Sequence, residues 1–302
     1  MTAQGFITGN KIKLFYYGKN ADYGNFGDLL SRYVVEKLTG LCVEKYDRRK
    51  TSTHLTAIGS ILSGKEICSP AVIWGSGFIT PEPLWVIKLT RIFQFLRGRY
   101  GHPSVCAVRG ILSRELLLKA GINCPEIYGD PALLMPVLYP AVKQKKHRIG
   151  VILHLEHRKF KDKFTYRDVK LIDIARSYDD IEGFIDEVLE CNVVLSSALH
   201  GLIIANTYKV PCARLKIKDY SILLETEWED YKFEDYISGL NSYCNDGNPY
   251  DFPMFVFNEN DVFDDSSIDK INEIANVPSF NIDYSKLLSA FPCKKLSEYD
   301  LR

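Results

Sequence analysis

The side chains best suited to chemistry in this sequence are two histidines, an aspartate and an arginine placed at turns. His154 closes the apolar run "GVILH", and His200 follows "NVVLSSAL". Asp28 stands beside a glycine at a predicted strand-to-helix junction, and Arg109 directly follows an apolar segment. Imidazole suits proton transfer near neutral pH, a carboxylate can orient or deprotonate a hydroxyl, and guanidinium matches a carboxylate or a phosphate. These residue types predict a site that binds an anion and moves protons.

Short apolar segments alternate with segments of helical periodicity, which is typical of an α/β protein with parallel sheets. One helix is predicted over Gly27–Gly40, and later helices over 219–228 ("DYSILLETEW") and 229–240. The basic stretch Tyr139–Arg148 interrupts the pattern, so we predict two βα domains, residues 1–140 and 141–302, on either side of a linker. Ligands bind such sheets at the carboxyl ends of the strands, where helix N-termini gather.

Two further turns could contact a ligand closely. Gly75, Ser76 and Gly77 form a glycine-rich turn that would let a ligand approach the main chain, although the dinucleotide-binding fingerprint is incomplete. Asp130 stands between a glycine and a proline in a rigid turn, for which a role as hinge or domain interface is the alternative. For Asp28 the alternative is a helix N-cap, and for His154 a hydrogen-bonded structural role.

The segment around His200 combines structural and chemical features. Ser196 and Ser197 are suited to cap the helix that begins near Leu199, which places His200 in its first turn. Gly201 is suited to close packing of helix on sheet. The positive end of the helix dipole favours a neutral imidazole and a bound anion there. Because packing alone does not call for a histidine, the sequence favours a chemical role for His200.

Bulk properties exclude several classes of protein. The chain has 302 residues and a formal net charge of zero, so a field that gathers nucleic acid is not expected. We expect a cytoplasmic protein, because no basic-then-apolar leader opens the sequence and no apolar run is long enough to span a bilayer. The eight scattered cysteines form no C-x-x-C pair, which predicts reduced, buried thiols. No metal-ligand cluster is visible, so metal-independent chemistry without a cofactor is expected.

The segment Val86–His102 is basic and aromatic and contains no acidic residue. One interpretation is a docked helix with a solvated basic face. The other is a peripheral contact with anionic lipid on the inner face of the membrane. The cations that would make this contact are Lys88, Arg91, Arg97 and Arg99.

Seven motifs in order resemble the polysaccharide pyruvyl transferase family. They are "NFGD" (25–28), "WGSG" (74–77), "VRG" with "SREL" (108–116), "YGDPALL" (128–134), "VILHL" near residue 154, "SSALHGLIIANTYKVP" (196–211) and "YKFEDYISGL" (231–240). The resemblance implies two Rossmann-like domains facing across a cleft, in a glycosyltransferase-B-like arrangement. The N-terminal domain would then hold the acceptor and the C-terminal domain phosphoenolpyruvate, with the final helix packing back on the N-terminal domain.

The resemblance also implies an activity and a set of roles. Members move the pyruvyl group of phosphoenolpyruvate to a sugar, commonly forming a cyclic ketal, in the synthesis of capsular or other surface polysaccharides. His200 would then be the acid/base beside the donor, Arg109 the anion clamp, His154 a second proton-transfer residue and Asp28 the group that orients or deprotonates the acceptor. The remaining substrate-binding positions would be Asn25, Gly27, Gly75, Ser76, Gly77, Asp130, Ser196, Ser197 and Leu199. The acceptor would be a sugar, in one form a lipid-linked oligosaccharide.

One position departs from the family pattern. Many members carry an arginine directly before Leu-His-Gly, where this chain has Ala198. Either Arg109 or a lysine from elsewhere must then supply the cation, or this subgroup binds the donor differently. Two other functions remain open at this point: a nucleotide-sugar glycosyltransferase of the same architecture, and a non-catalytic glycan-binding or assembly protein.

Overall fold

Two mainly parallel sheets organise the chain. The computed structural model describes residues 5–18, 22–218, 230–242, 250–277 and 284–293. The strands are β1 (Ile7–Thr8), β2 (Lys11–Phe15), β3 (Tyr23–Asn25), β4 (Cys42–Lys45), β5 (His54–Thr56), β6 (Ala71–Trp74), β7 (Ser104–Ala107), β8 (His147–Leu153), β9 (Val169–Asp173), β10 (Ala175–Ser177), β11 (Cys191–Ser196), β12 (Cys212–Lys218) and β13 (Met254–Asn258).

Helices connect these strands. They are α1 (Phe26–Thr39), α2 (Gly64–Ile67), α3 (Leu84–Leu96), α4 (Ile111–Lys119), α5 (Met135–Leu138), α6 (Ile181–Leu189), α7 (Leu199–Thr207), α8 (Tyr231–Asn241), α9 (Asp265–Ile274) and α10 (Tyr284–Ser289). Short 3-10 helices cover Pro131–Leu134, Leu155–Phe164 and Tyr178–Asp180.

The strand pairing confirms the α/β class with parallel sheets. In the first sheet β2, β5, β6 and β7 pair in parallel, β4 joins β2 in parallel, and β1 adds an antiparallel edge. The second sheet runs β13-β12-β11-β8-β9 with every pair parallel. The glycosyltransferase-B-like arrangement and the acceptor and donor sides stay predictions.

Helix α1 shows how local sequence sets the start and end of an element. It ends at Gly40, whose φ of 66° suits glycine and whose N–H donates to the Glu36 carbonyl at 2.8 Å. Its N-cap is Asn25, whose Oδ1 accepts from the Gly27 N–H at 2.9 Å. The alternative interpretation, in which Asp28 is the helix N-cap, is therefore wrong, since Asp28 lies inside the first turn.

Several elements were not predicted from the sequence. Strands β3 and β10 form an antiparallel ribbon that joins the first half of the chain to the second. Strand β13 and helix α9 extend the second sheet and its cover beyond the predicted elements. The helix predicted over 219–228 lies outside the described residues.

The hydrophobic core continues across the predicted domain boundary. Phe26 of α1 stacks on Phe184 of α6 with ring centroids 3.9 Å apart. Helix α8 packs on α4, and α10 reaches the first sheet, where the Leu287 carbonyl accepts from Trp74 Nε1 at 2.8 Å. The two parallel sheets divide near residue 140, but the β3–β10 ribbon and the buried side chains do not. Helices α1, α6, α8 and α10 contact elements of the other half.

Most described cysteines are buried free thiols, as predicted, whereas Cys42 is exposed. Cys244 lies outside the described residues. Among the residues that the structure describes, no helix has the length and apolarity needed to cross a membrane.

Candidate active site

A cavity of about 240 Å³ lies between the two halves of the chain. Its wall is lined by Tyr17, Asn25, Asp28, Gly59, Ser60, Ile61, Ile79, His154, Ile174, Ala198, Leu199, His200 and Lys232. The structure thus brings together His200, His154, Asp28, Asn25 and Leu199, five of the residues singled out in the sequence. They come from α1, the end of β8 and the start of α7.

His200 reaches the cavity from the first turn of α7, as the sequence indicates. The helix N-cap is Ala198, which makes no side-chain capping bond, so the expected capping by Ser196 or Ser197 is wrong. Gly201 brings the helix close to β8, because a Cβ at that position would lie 2.9 Å from Ile152 Cδ1. On the other side the imidazole lies against Gly27 so closely that a methyl group there would overlap its Nδ1.

A buried carboxylate faces the imidazole from behind. Asp130 Oδ2 lies 3.6 Å from His200 Nε2, and the Asp130 side chain is fully buried. Asp130 Oδ1 is held by the Ala132 N–H at 3.0 Å. The separation is longer than a hydrogen bond, and neither Oδ2 nor Nε2 has a hydrogen-bond partner among the described residues. The carboxylate therefore favours the tautomer with a proton on Nε2, which leaves Nδ1, on the Gly27 side, to accept or return a proton.

Asp28 is the second acidic group, and it lines the cavity. Burial raises the pKa of its carboxyl, and the nearby His200 and Lys45 oppose that rise. A carboxyl with a raised pKa holds or releases a proton closer to neutral pH, as acid/base catalysis requires.

His154 also lines the cavity and is fixed through its main chain. Its N–H donates to Ser197 Oγ at 2.9 Å. Burial and the positive charge of Lys232 lower the pKa of the His154 imidazole to about 4. This imidazole is therefore neutral near pH 7, where it can accept a proton or donate an N–H hydrogen bond.

The cavity combines several sources of positive potential. Lys232 lines it from the first turn of α8, and the N-terminal ends of α1 and α7 open into it at Asn25 and Ala198. The first N–H groups of a helix have no acceptor within the helix, and the helix dipole is positive there. The small Ala198 side chain leaves these groups of α7 uncovered, so the arrangement suits an anion.

Arg109 does not reach the cavity, contrary to the expectation that it points into the cleft. Its guanidinium is fully buried and pairs with Asp235 of α8, with Nε 2.9 Å from Oδ2. It also donates to the Phe78 carbonyl at 2.6 Å and to Ser60 Oγ. Because Asp235 neutralises the guanidinium charge, that charge is not available to an anionic ligand. The prediction that Arg109 clamps the anion directly is therefore wrong for this conformation. Arg109 contacts the site through the wall residue Ser60.

The glycine-rich turn lies behind the wall as well. At Gly77 a Cβ would lie 2.6 Å from Arg109 Cζ, and at Gly75 it would lie 2.6 Å from Pro131 Cγ. Ser76 Oγ donates to the Ala57 carbonyl, and Ser196 Oγ is bonded within its own turn, to the Ala198 carbonyl at 2.9 Å. These residues shape the packing under the cavity and do not line it.

Sequence reasoning missed some of the wall. Gly59 and Ser60 follow β5 at the carboxyl edge of the first sheet, and the same rule that selected the other turns could have selected them. Lys232 was not singled out, although it lies in the motif "YKFEDYISGL". It comes from a helix far along the chain and not from a turn that follows a strand.

A model of the polysaccharide pyruvyl transferase family matches residues 25–219, more than half of the chain. The chain is 25% identical over 235 residues to an uncharacterized protein, L143, of Acanthamoeba polyphaga mimivirus. The aligned residues cover 76% of this chain and 74% of the viral protein. It is also similar to a functionally uncharacterized protein from Klebsiella pneumoniae whose crystal structure is known, with a TM-score of 0.44 and 14% identity over 80% of this chain and 92% of that one. The family match includes Asp28, His154 and His200 but not Lys232.

Proposed function

Because the chain belongs to the polysaccharide pyruvyl transferase family, we propose that it moves the pyruvyl group of phosphoenolpyruvate to a sugar of a surface or capsular polysaccharide precursor. The product would be a cyclic ketal, and phosphate would be released. The observation that carries this proposal is the cavity in which His200, backed by Asp130 at 3.6 Å, meets Asp28. Proton-transfer groups and an electropositive wall stand together there.

The donor is an anion with a phosphate and a carboxylate. Lys232 and the uncovered N-terminus of α7 are the groups of the cavity that would hold it. Lys232 thereby takes the part that an arginine in place of Ala198 would play, and Arg109 supports the wall by donating to Ser60. The cavity, at about 240 Å³, lies below the roughly 300–1,000 Å³ of pockets for larger ligands. That size favours a small donor over a nucleotide sugar.

The chemistry removes two protons from the sugar hydroxyls and adds two, one to C3 of the donor and one to the phosphate that leaves. Protonation of C3 makes C2 of phosphoenolpyruvate electrophilic, and a sugar hydroxyl oxygen bonds to C2 as it loses its proton. The C2–O bond to phosphate then breaks, and the second hydroxyl closes the ketal with loss of its proton. His200 is the acid beside the donor, Asp28 accepts the hydroxyl proton, and the neutral His154 is the second acceptor.

The first test is His200→Asn, which keeps a polar side chain but removes the titrating ring. We expect phosphate release from phosphoenolpyruvate with acceptor glycans to fall by about 10²–10⁴-fold, with mass spectrometry following pyruvyl addition to the glycan. The exposed His102→Asn is the matched control and should retain full turnover. Near-normal turnover of both His200→Asn and His200→Ala would remove the catalytic role.

A second pair of variants separates the position of the imidazole from its chemistry. Gly27→Ala would push the His200 ring out of place, whereas Gly24→Ala adds a methyl group with nothing within 4 Å. We expect Gly27→Ala to lower kcat about 10²-fold or more and Gly24→Ala to leave it unchanged. Equal activity in the two variants would contradict the placement of His200 against α1.

A further inference from the structure

Helix α3 presents its apolar side to solvent. Ile87 is its only buried residue, while Trp85 is 65% exposed, Phe95 71% and Leu96 73%. Leu84, Leu89, Ile92 and Phe93 are exposed as well. Contiguous exposed apolar surface of this kind marks a place where something docks.

The exposed side chains form one face of the helix. Trp85, Leu89, Ile92 and Leu96 follow each other at spacings of three and four residues, which aligns them along a single stripe. Phe95 flanks the stripe on one side and Phe93 on the other. The side turned toward the protein is mixed: Ile87 is buried, and Val86, Thr90, Arg91 and Gln94 are half-buried. Most of the apolar surface of α3 therefore faces solvent.

Cations surround this stripe, and the helix itself has no acidic residue. Lys88 and Arg97 are exposed and, within the described part of the chain, make no ion pair. Arg91 differs from the sequence expectation, because it turns inward and donates to the Ala120 carbonyl at 2.9 Å.

A basic pocket of about 400 Å³ opens on the Phe93 flank of the stripe. Its charged lining is Arg48, Arg49, Lys65, Arg97 and Arg99. Arg48 pairs with the buried Glu66, and Arg49 with Asp47 at 2.8 Å. Lys65, Arg97 and Arg99 have no such partner among the described residues, so the pocket keeps a positive character.

We propose that α3 docks this protein on an anionic lipid bilayer, with the Trp85–Leu96 stripe in the acyl-headgroup boundary and the cations on the headgroups. Lys or Arg beside Trp, Phe and Leu is the composition of helices that lie in the membrane interface. Juxtamembrane cations add attraction to an anionic leaflet.

A second copy of the chain is the weaker occupant for this face. A two-fold interface brings the same patch of both copies together, so Lys88 and Arg97 would meet their own equivalents with no acidic residue of the helix to neutralise them. An anionic lipid surface complements both the apolar stripe and the cations.

Docking here would place the cavity close to the bilayer. Ile79 lines the cavity, and the short segment that follows it leads directly into α3 at Leu84. The proposal concerns membrane attachment and stands apart from pyruvyl transfer, because it is measured without donor or acceptor.

The test is co-flotation of the full chain with vesicles of phosphatidylcholine, with or without 30 mole per cent (about one lipid in three) phosphatidylglycerol. We expect binding to the anionic vesicles that weakens as salt rises, and little binding to phosphatidylcholine alone. Ile92→Ser with Leu96→Ser should weaken binding about tenfold or more. The matched control, Val142→Ser with Val262→Ser, removes two exposed apolar side chains elsewhere and should bind like the unmodified protein.

Charge is tested separately. Lys88→Glu with Arg97→Glu should weaken binding to the anionic vesicles about tenfold or more. Lys11→Glu with Lys161→Glu makes the same change of charge at exposed positions outside α3 and should have a small effect.

Trp85 offers a readout that needs no loss of function. The chain has a third tryptophan, Trp228, so the measurement is made with Trp228→Phe as the parent protein. The exposed indole of Trp85 should shift its emission to the blue on anionic vesicles, and adding Trp85→Phe should abolish the shift, since Trp74 is already buried. Two results would overturn the proposal. One is no binding of the unmodified protein to anionic vesicles at low salt, and the other is a dimer in light scattering that Ile92→Ser with Leu96→Ser converts to monomer.

Discussion

In this cavity, the surroundings of each titratable side chain, and not only its residue type, determine which proton-transfer role it can play. His200 has a buried carboxylate behind Nε2, whereas His154 has Lys232 nearby and a pKa of about 4. Asp28 is a carboxyl whose burial raises its pKa. Two imidazoles and a carboxyl therefore meet in one small space with different surroundings, which suits them to different steps of one reaction.

Asp28→Asn should make the protein more stable at neutral pH. Because the pKa of Asp28 is higher in the folded protein than its unfolded value near 3.8, the folded state binds the proton more tightly. This contribution to stability is complete below the unfolded pKa and is lost as pH rises through the folded pKa. We therefore expect the variant to exceed the unmodified protein in free energy of unfolding at pH 7, and the excess to shrink toward pH 4. Urea unfolding at a series of pH values measures this difference.

The exposed Asp251→Asn is the control for that series. Its difference from the unmodified protein should stay small at every pH. An excess for Asp28→Asn that is the same at pH 4 and pH 7 would show that burial does not perturb Asp28. The same variant should lose turnover, because an amide cannot accept the hydroxyl proton.

At the scale of elements, α8 is fastened to the first sheet by one buried ion pair. Asp235 accepts from Arg109 Nε at 2.9 Å, from the Ser113 N–H at 2.7 Å and from Ser113 Oγ at 2.7 Å. Gly110 and Gly239 let the two backbones approach, because a Cβ on either would overlap the other chain segment. The pair holds in place the helix that carries Lys232.

Asp235→Asn should destabilise the protein by about 3–5 kcal/mol, because it leaves the Arg109 charge buried without a counterion. Glu126→Gln is the control, since it breaks the exposed Arg114–Glu126 pair at a cost of about 0–1 kcal/mol. Denaturant unfolding gives both values. A loss of less than about 1 kcal/mol for Asp235→Asn would mean that Arg109 has found another partner.

The sequence predicts the elements better than their contacts. The spacing of apolar residues and the glycine at position 40 place α1 correctly to within a residue, because these signals are local. The partner of Arg109 is 126 residues away in sequence, and no local pattern reveals it. His200 and Asp28 were found because both stand at strand-to-helix turns, where topology alone brings residues together.

At the scale of the molecule, the two sheets share one continuous core. Phe26 and Phe184 stack across the halves, the β3–β10 ribbon pairs them, and Trp74 donates to Leu287 near the end of the described chain. Apolar contacts that cross between sheets couple their stabilities, so neither half can unfold without exposing the buried face of the other.

We therefore expect a single unfolding transition, despite the two sheets. Far-UV circular dichroism and tryptophan fluorescence should give coincident curves in urea, with calorimetric and van't Hoff enthalpies equal. Trp74→Phe should lower the midpoint, because the Leu287 carbonyl loses its donor, and the exposed Trp85→Phe should not. Two separate transitions would indicate independent domains.

Ala198 also has a consequence for how the empty and occupied protein differ. A serine or an aspartate at this N-cap would satisfy the first N–H groups of α7 and add about 1 kcal/mol to the helix, whereas Ala198 makes no such bond. A bound phosphate or carboxylate would itself become the cap that the sequence leaves out. Binding of the donor would then also stabilise the first turn of α7, by about the free energy that a capping side chain contributes.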